Sequence, residues 1–367
     1  MVKPKSFHLQ WHITERCNFK CKHCYTEKPM NELSTDELFL ILDQYIEMIK
    51  RWKMDINNRP RLLSISGGEP LLRKDIFELL EAINENKDMF TNVVLMSNGS
   101  TITDNVIKKL KDLGIPQIQI SLDGLEKNND KIRGNGNFKK AVKGMKRLVE
   151  ERIPVGISMT VHKGNVNDIE GLISFCRDIG VKSLGVSRLV PIGRGKDLRI
   201  LDPLETKEFY KKLINLKDIW KERGVYIHTH CSDPLWFIED PGHQTHGCSV
   251  GYDSFSILPN GDVVPCRRLP IKVGNVLENT LFDIWYNSKI LWDLRNREMI
   301  NETCKKCELF EKCYGGAKCI ANGYFGSPFA PDPQCWKMFK KLPNPTRLAR
   351  IKSSKNFVLD HKYIEAF

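Results

Sequence analysis

The sequence predicts an α/β fold, a partial, TIM-like (β/α)6 barrel followed by a Cys-rich C-terminal domain. Short apolar segments rich in β-branched residues alternate with longer amphipathic segments through the first 230 residues. Such segments are typical of parallel strands that are covered on both faces. From about position 229 the periodicity weakens, and seven of the 12 cysteines lie between positions 248 and 335. The change indicates a second domain that is built differently.

The predicted strands and helices alternate regularly, and signals for helix ends stand where they are needed. Ser34 is the predicted N-cap of the first long helix, and Gly114, Gly180 and Gly224 follow three others. Right-handed crossovers would set the strands side by side, with functional groups at their carboxyl ends. We predict strands over 7–13, 62–66, 93–97, 117–122, 155–161, 183–189 and 225–228, and helices over 35–50, 76–84, 104–113, 138–151, 166–179 and 203–222.

Length and composition limit the class of protein. At about 150 residues per domain, 367 residues predict two or three domains, and 41% apolar residues can bury a sizeable core. No run of 18 apolar residues occurs and the N-terminus lacks an apolar signal region, so we expect a cytoplasmic protein without a membrane partner. Twelve cysteines in such a chain indicate metal or redox chemistry rather than disulfides.

We predict a barrel domain over 7–229, a cysteine-rich domain over 230–336 and a basic tail over 337–367. The tail has eight Lys and Arg residues against Asp360 and Glu365, within a chain of formal net charge +12. A basic tail can hold nucleic acid or an acidic peptide, but a solvated terminus is the simpler interpretation, and we expect no nucleic-acid partner. Because the cysteine-rich domain has weak apolar periodicity, we expect it to fold around bound metal.

Three cysteines directly follow the first predicted strand. Cys17, Cys21 and Cys24 have the spacing C-x3-C-x2-C, and thiolates so close can converge only if the segment loops around a bound group. Three protein ligands leave one coordination position for a non-protein group. The alternative, a structural zinc ion, normally has four protein ligands.

This motif resembles that of the radical S-adenosylmethionine (SAM) superfamily. The resemblance implies that the three cysteines hold a [4Fe–4S] cluster, whose fourth iron is chelated by the amino and carboxylate groups of SAM. It also implies reductive cleavage of SAM to a 5′-deoxyadenosyl radical, which abstracts hydrogen from the substrate. His23 occupies the aromatic position before the third cysteine and is expected to lie against the adenine.

Other strand ends also match this superfamily. Residues 66–70 read Ser-Gly-Gly-Glu-Pro and match its GGEP motif, although an ordinary β-turn is the alternative. Its glycines would allow close backbone approach, and Glu69 would accept a hydrogen bond from the SAM ammonium. Arg133 resembles the arginine that pairs with the SAM carboxylate, and Leu189 would pack on the adenine unless it only fills the core. The predicted cofactor-binding residues are His23, Gly67, Gly68, Glu69, Ser97, Asn98, Ser121, Asp123, Arg133 and Leu189.

The remaining cysteines resemble the SPASM extension of radical SAM enzymes that mature peptides and proteins. That pattern is C-x9–15-G-x4-C, then C-x2-C-x5-C-x3-C, then a last C. The first half fits, but five residues instead of three separate Cys313 from Cys319, and two glycines in that gap would let the backbone fold back. The resemblance implies two auxiliary [4Fe–4S] clusters, one on Cys304, Cys307, Cys313 and Cys335 and one on Cys248, Cys266 and Cys319.

The second of these sets lacks one ligand. Cys231 is the predicted candidate, and His243, His246 and an open iron are the alternatives. Cys176 lies in a predicted helix and is expected to be a buried core thiol. Together the resemblances imply three [4Fe–4S] clusters and SAM as cofactors.

The SPASM resemblance favours an enzyme that modifies a peptide or protein residue by thioether or carbon–carbon cross-linking, or by epimerisation. The alternatives are a radical SAM enzyme acting on a tetrapyrrole or pterin intermediate, and a non-catalytic iron–sulfur carrier, which the SAM-site residues disfavour. Because the barrel begins at residue 7, we expect a separate leader-binding partner, the basic surface or short recognition elements to capture a peptide. We also expect an electron donor such as flavodoxin or ferredoxin. No catalytic residue is assigned.

Two arginines narrow the choice of substrate. Arg267 and Arg268 follow Cys266 at the place where anaerobic sulfatase maturases carry an aspartate base, so sulfatase maturation is disfavoured. The arginines are expected either to meet an acidic substrate or to be plain surface charge.

Overall fold

A computed structural model describes residues 3–26, 30–54, 60–115, 117–229, 233–240 and 247–344. Within these ranges one ten-stranded sheet has the strand order β10-β9-β8-β1-β2-β3-β4-β5-β6-β7. Strands β1 to β7 are parallel, as predicted for a (β/α)6-type barrel. The strands are β1 Phe7–His12, β2 Arg61–Ser66, β3 Asn92–Ser97, β4 Gln117–Ser121, β5 Val155–Val161, β6 Ser183–Arg188, β7 Tyr226–Thr229, β8 Ser254–Ile257, β9 Asp262–Val264 and β10 Gly274–Asn275.

The predicted barrel strands are confirmed to within one residue at each end, and the predicted helices are also present. Ser34 caps α1 through a capping box with Glu37, and Gly114, Gly180 and Gly224 have the positive φ of helix ends. The helices are α1 Thr35–Arg51, α2 Ile76–Glu85, α3 Asp104–Asp112, α4 Glu126–Arg133, α5 Asn137–Glu150, α6 Ile169–Asp178, α7 Pro203–Glu222, α8 Trp236–Glu239, α9 Leu281–Asn287, α10 Lys289–Arg295, α11 Glu302–Lys305, α12 Phe310–Cys313 and α13 Lys318–Phe325.

Strand β1 has an apolar face and a polar face. Phe7 packs against the rings of Tyr45 in α1 and Trp285 in α9. On the other face, Gln10 Nε2 lies 3.7 Å from the sulfur of Met96 in β3, so it reaches past β2 across a concave surface. The expectation that both faces would be apolar is therefore wrong for this strand, because only the convex face packs on helices.

The register extends this concave surface from β8 to β7. Residues paired side by side in parallel strands point to the same side of a sheet. Most of its side chains are polar and none is Lys, Arg, Asp or Glu. Its members are His8, Gln10, His12, Leu62, Ser64, Ser66, Asn92, Val94, Met96, Gln117, Gln119, Ser121, Gly156, Ser158, Thr160, Ser183, Gly185, Ser187, Tyr226, His228, Ser254 and Ser256.

The cysteine-rich region continues the barrel sheet. Strand β8 pairs in parallel with β1, with Phe255 beside Leu9, and β9 and β10 add antiparallel strands. Leu281 and Trp285 of α9 belong to the same apolar core as Phe7. This region therefore has an apolar anchor in addition to its thiols, and the division near 230 stays a prediction.

The predicted basic tail lies partly outside the described ranges. The tail over 337–367 is described only to residue 344. No helix in the described ranges combines the length and the apolar character that crossing a bilayer requires.

Candidate active site and cluster-binding cysteines

The loop that follows β1 carries Cys17, Cys21 and Cys24 and is fixed by backbone hydrogen bonds from three directions. Glu69 N donates to Arg16 O at 2.7 Å, and Lys22 N donates to Ile132 O of α4 at 2.8 Å. Arg194 N, from the segment after β6, donates to Cys24 O at 3.0 Å. The chain itself therefore shapes this loop over the carboxyl ends of the strands.

Burial disfavours the thiolate form of two cysteines of this loop. Burial, with a smaller effect from the neighbouring Cys24, raises the pKa of Cys17 and raises that of Cys21 to about 11. Arg133 acts in the opposite direction on Cys21. Because iron–sulfur clusters bind thiolates, and metal ions deprotonate such thiols, three mutually close cysteines fit a cluster site.

The GGEP segment and the end of β3 hold each other in place. The carboxylate of Glu69, which is fully buried, accepts hydrogen bonds from Ser97 Oγ at 2.8 Å, Asn98 N at 2.7 Å and Thr101 Oγ1 at 3.0 Å. Asn98 Nδ2 in turn donates to Asn18 Oδ1 at 2.9 Å and lies 4.0 Å from the sulfur of Cys17. The backbone of Leu71 also donates to Glu69, so the chain itself takes its roughly four acceptor positions, and its contact with the SAM ammonium stays a prediction.

Gly67 and Gly68 allow close approach, but the approach visible here is to the chain itself. A Cβ on Gly67, whose φ is +149°, would lie 2.4 Å from Thr14 O. A Cβ on Gly68 would lie 2.3 Å from Arg16 O. The two glycines therefore let β2 dock against the start of the cysteine loop.

His23, Asp123 and Arg133 form a buried polar group beside the cysteine loop. The same oxygen of Asp123, Oδ2, lies 2.7 Å from Arg133 Nε and 3.3 Å from His23 Nε2. Burial opposes ionisation of Asp123, but the Arg133 charge prevails and keeps its pKa below the usual range. Burial lowers the pKa of His23 to about 4, so the imidazole is neutral at pH 7.

One ring nitrogen of this group lacks a partner. His23 Nδ1 is buried and has no hydrogen bond to the part of the chain that the structure describes. A buried polar atom of this kind normally has a partner, so the site fits a polar ligand such as SAM. Arg133 already neutralises Asp123, and its contact with the SAM carboxylate stays a prediction.

The last two predicted SAM contacts lie in different settings. Ser121, at the end of β4, is on the concave surface. Leu189 follows β6 and is only 1% exposed, covered by the chain itself. Its packing on the adenine and the alternative that it only fills the core both stay predictions.

Four of the C-terminal cysteines line one cavity of about 350 Å³: Cys304, Cys307, Cys313 and Cys335. Burial, together with negative charge nearby that includes Asp332 in the same wall, raises the pKa of Cys304 to about 12 and that of Cys335 to about 11. Four such thiols form a complete ligand set for a [4Fe–4S] cluster.

Cys248, Cys266 and Cys319 lie in a second, smaller apolar core with Phe329. The long spacing before Cys319 is accommodated by a turn, because Tyr314, Gly315 and Gly316 all have φ between +48° and +86°. Cys231, His243 and His246 lie outside the described residues, so the eighth ligand stays a prediction.

The described cysteines form no disulfide, and no three described His, Cys, Asp or Glu side chains have the spacing of a single-ion site. The zinc alternative therefore gains no support. Cys176 in α6 is fully buried, which confirms it as a core thiol.

Arg267 is not surface charge, so that alternative was wrong for it. Its side chain is 2% exposed, and its guanidinium donates to Thr26 Oγ1 at 3.0 Å and lies 3.6 Å from Glu15 Oε1. It thereby joins the Cys266 segment to the cysteine loop after β1. Arg268 is half-buried.

The sequence reading missed a buried ion network at the end of β6. Arg188 is 2% exposed and pairs with Asp233 and Asp332, each at 2.8 Å, and with Gln334 Oε1 at 2.9 Å. Asp332 lines the cysteine cavity, so the network ties the barrel to that cavity. The sequence offers one signal for this network: Arg188 is the only charged residue of β6 and stands at the end of that strand.

Comparison with known proteins agrees with this geometry. The Radical SAM superfamily profile matches residues 11–176, and the profile of SPASM, an iron–sulfur cluster-binding domain, matches residues 248–308. An AdoMet-dependent heme synthase of Methanosarcina barkeri is 28% identical over 89% of this chain and 95% of its own length. The mycofactocin maturase MftC of Mycolicibacterium smegmatis is 29% identical over 89% of this chain and 82% of its own length.

A solved structure has the same fold. Streptococcus suis SuiB bound to S-adenosylmethionine superposes with a TM-score of 0.72, at 22% identity, over 90% of this chain and 77% of SuiB. Both domains and the fold that the resemblance implied are thus present. The chain is a radical SAM enzyme with a C-terminal SPASM domain.

Proposed function

We propose that this enzyme abstracts hydrogen from a residue of a peptide or protein bound in the barrel and so installs a cross-link or an epimerised centre. The observation that carries the proposal is the concave surface. None of its residues in β1 to β8 is Lys, Arg, Asp or Glu. Peptide groups are uncharged and carry one donor and one acceptor each, which Ser, Gln and neutral His side chains can satisfy.

The chain would bind its cofactors at the sites described above. Cys17, Cys21 and Cys24 would hold the SAM-binding [4Fe–4S] cluster, which with SAM supplies the radical chemistry of the superfamily when bound. His23, Asp123 and Arg133 would form a preorganised polar wall that orients SAM, because their mutual contacts fix each side chain before binding.

The C-terminal cysteines would complete a set of three [4Fe–4S] clusters. The cavity formed by Cys304, Cys307, Cys313 and Cys335 supports one auxiliary cluster. The shared core of Cys248, Cys266 and Cys319 supports the other, with Cys231 as its proposed fourth protein ligand. When bound there, an auxiliary cluster would supply a place for the electron that cross-linking, unlike epimerisation, removes from the peptide.

The partners belong to the same proposal. SuiB has been solved bound to its precursor peptide SuiA, and one relative is named sporulation killing factor maturation protein SkfB, of Bacillus subtilis. We propose a peptide substrate of this kind, captured with a separate leader-binding partner, and a flavodoxin or ferredoxin as electron donor.

A second candidate is a tetrapyrrole substrate, within the class of small cofactor intermediates. Relatives named AdoMet-dependent heme synthase and Fe-coproporphyrin III synthase support it. So do two imidazoles on the concave surface, His8 and His12, whose pKa values burial lowers, to about 4 for His8. Neutral imidazoles bind iron, and an iron tetrapyrrole offers that metal.

The two candidates can be separated in one assay. The holoenzyme is incubated anaerobically with SAM, dithionite and either a candidate precursor peptide or iron coproporphyrin III, and the products are analysed by mass spectrometry. For a cross-link we expect a peptide product lighter by two hydrogen atoms. When the peptide carries deuterium on the reacting carbon, we expect that deuterium to appear in 5′-deoxyadenosine.

Reaction of the tetrapyrrole alone would replace the first candidate by the second. His8→Gln provides a matched variant, because Gln keeps a donor and an acceptor but binds iron poorly. Peptide modification should survive this change, whereas tetrapyrrole turnover should fall at least tenfold if His8 binds its iron.

A further inference from the structure

Lys318 is the one buried lysine among the described residues. It is 4% exposed at the start of α13, and its ammonium lies 5.8 Å from the centre of the Phe329 ring. Burying an ammonium is unfavourable unless an anion lies near it. Among the described residues no Asp or Glu side chain is paired with Lys318, so its anionic partner must be a group other than a carboxylate.

The chain places Lys318 between the two C-terminal thiol sets. Cys313 and Gly316, just before it, line the cavity with Cys304, Cys307 and Cys335. Cys319, just after it, lies with Cys248 and Cys266 in the smaller core, which also includes Ala317 and Phe329. Ala317 N donates to Asp332 Oδ2 in the cavity wall at 3.0 Å, and this hydrogen bond fixes the chain where it passes from one thiol set to the other.

Sulfurs from both sets act on the same ammonium. Cys248, Cys313 and Cys304 all lie near enough to the buried Lys318 ammonium to interact with it electrostatically. Cys248 belongs to one set and the other two belong to the cavity. The anionic neighbours that a charged Lys318 requires are therefore the thiolates of both sets.

We propose that Lys318 is a shared counter-charge that raises the reduction potentials of both auxiliary clusters. The proposal rests on the auxiliary-cluster assignment above. A thiolate-ligated [4Fe–4S] cluster becomes more negative by one charge when it takes up one electron, and no proton is needed. A fixed cation in a poorly solvated interior stabilises the reduced form, and one cation between two clusters acts on both.

The test is a redox titration of the anaerobic holoprotein, followed by EPR, for wild type, Lys318→Met, Lys318→Gln and Lys318→Arg. We expect both neutral variants to lower both auxiliary potentials, each by at least about tenfold in the one-electron equilibrium constant, or about 59 mV. Lys318→Arg keeps the charge and should move them much less. The potential of the SAM-binding cluster is an internal control and should stay unchanged.

Lys337→Met is the matched control variant. Lys337 lines the same cavity but is exposed and pairs with Glu308 at 3.0 Å, so solvent screens its charge. Unchanged potentials in a Lys318→Met or Lys318→Gln protein with full iron would overturn the role of Lys318, as would a shift in one cluster alone. Wild-type protein with only about four iron atoms would instead refute the cluster assignment and this proposal with it.

Discussion

The cysteine loop after β1 and the C-terminal cysteines differ in how the chain brings their thiols together. Cys17, Cys21 and Cys24 lie in one short loop, and Cys17 is exposed. Cys304 and Cys335 line one cavity although α12 and α13 lie between them, and Cys304 is buried. The first arrangement leaves room for an exchangeable ligand, whereas the second surrounds its centre.

The two regions also differ in their dependence on bound metal. The first loop rests on a barrel whose helices and strands are long and share one apolar core. In the C-terminal region α11 and α12 have four residues each. Helices of four residues are not stable by themselves, so we expect these cavity walls to be held in place by a metal cluster bound to their thiols. The first region should tolerate loss of its cluster, and the second should not.

The largest effect is expected from changing Cys17, Cys21 and Cys24 together to Ala. The variant should lose all reductive SAM cleavage and about a third of the iron while remaining folded, because backbone contacts hold the loop. Assays of 5′-deoxyadenosine, iron content and circular dichroism check this. Cys176→Ala is the control. Its thiol is buried in α6 and belongs to none of the predicted ligand sets, so this change should leave SAM cleavage and iron content unaltered. SAM cleavage by the triple variant would contradict the assignment.

Cys304→Ala or Cys335→Ala should damage the second region more than the triple change damages the first. We expect loss of about four iron atoms and a several-fold fall in soluble yield, because the cavity loses a ligand that orders two short helices. Yield after gel filtration and iron analysis give the answer. Fully soluble protein with unchanged iron would show that the region does not depend on its metal.

Arg188 connects the barrel to the C-terminal cysteine cavity, and its removal should destabilise the protein. In Arg188→Met, Asp233 and Asp332 remain buried without their cation, which costs about 3–5 kcal/mol of the free energy of unfolding. Urea unfolding of the anaerobic holoprotein measures this. Lys111→Met is the control, because its pair with Glu151 is half-exposed and should contribute at most about 1 kcal/mol. Equal effects in the two variants would rule out a structural role for the network.

The same comparison explains which features the sequence could predict. The barrel strands and helices carry their own signals, in apolar periodicity, Ser34 and the glycines after helices. Helix α4 was missed because Ile132 is its only apolar residue in Glu126–Arg133. The polar concave surface was missed because the strands were read as uniformly apolar.

The burial of particular charged side chains also could not be predicted from the sequence. Arg188 and Asp332 are 144 positions apart, and charged residues are normally exposed, so neither the pair nor the burial of Lys318 has a local signal. The cysteines were assigned because their spacing is itself the signal. The placement of Cys319 beside Cys248 and Cys266 requires a turn before it, and Gly315 and Gly316 in the sequence predict that turn.

The smallest effect concerns pH and the concave surface of the barrel. Burial lowers the pKa of His8 to about 4, from an unfolded value near 6.5, and His8 Nε2 lies 2.8 Å from Ser64 Oγ. Between these values the unfolded chain binds the proton and the folded chain does not, so this contribution is complete above pH 6.5 and is lost as pH falls towards 4. We expect His8→Gln to reduce the loss of stability between pH 7 and pH 5 by about 1–2 kcal/mol. Urea midpoints of wild type and variant at both pH values test it. Parallel falls in the two proteins would mean that His8 takes up its proton as readily in the folded barrel as in the unfolded chain, so that burial does not lower its pKa.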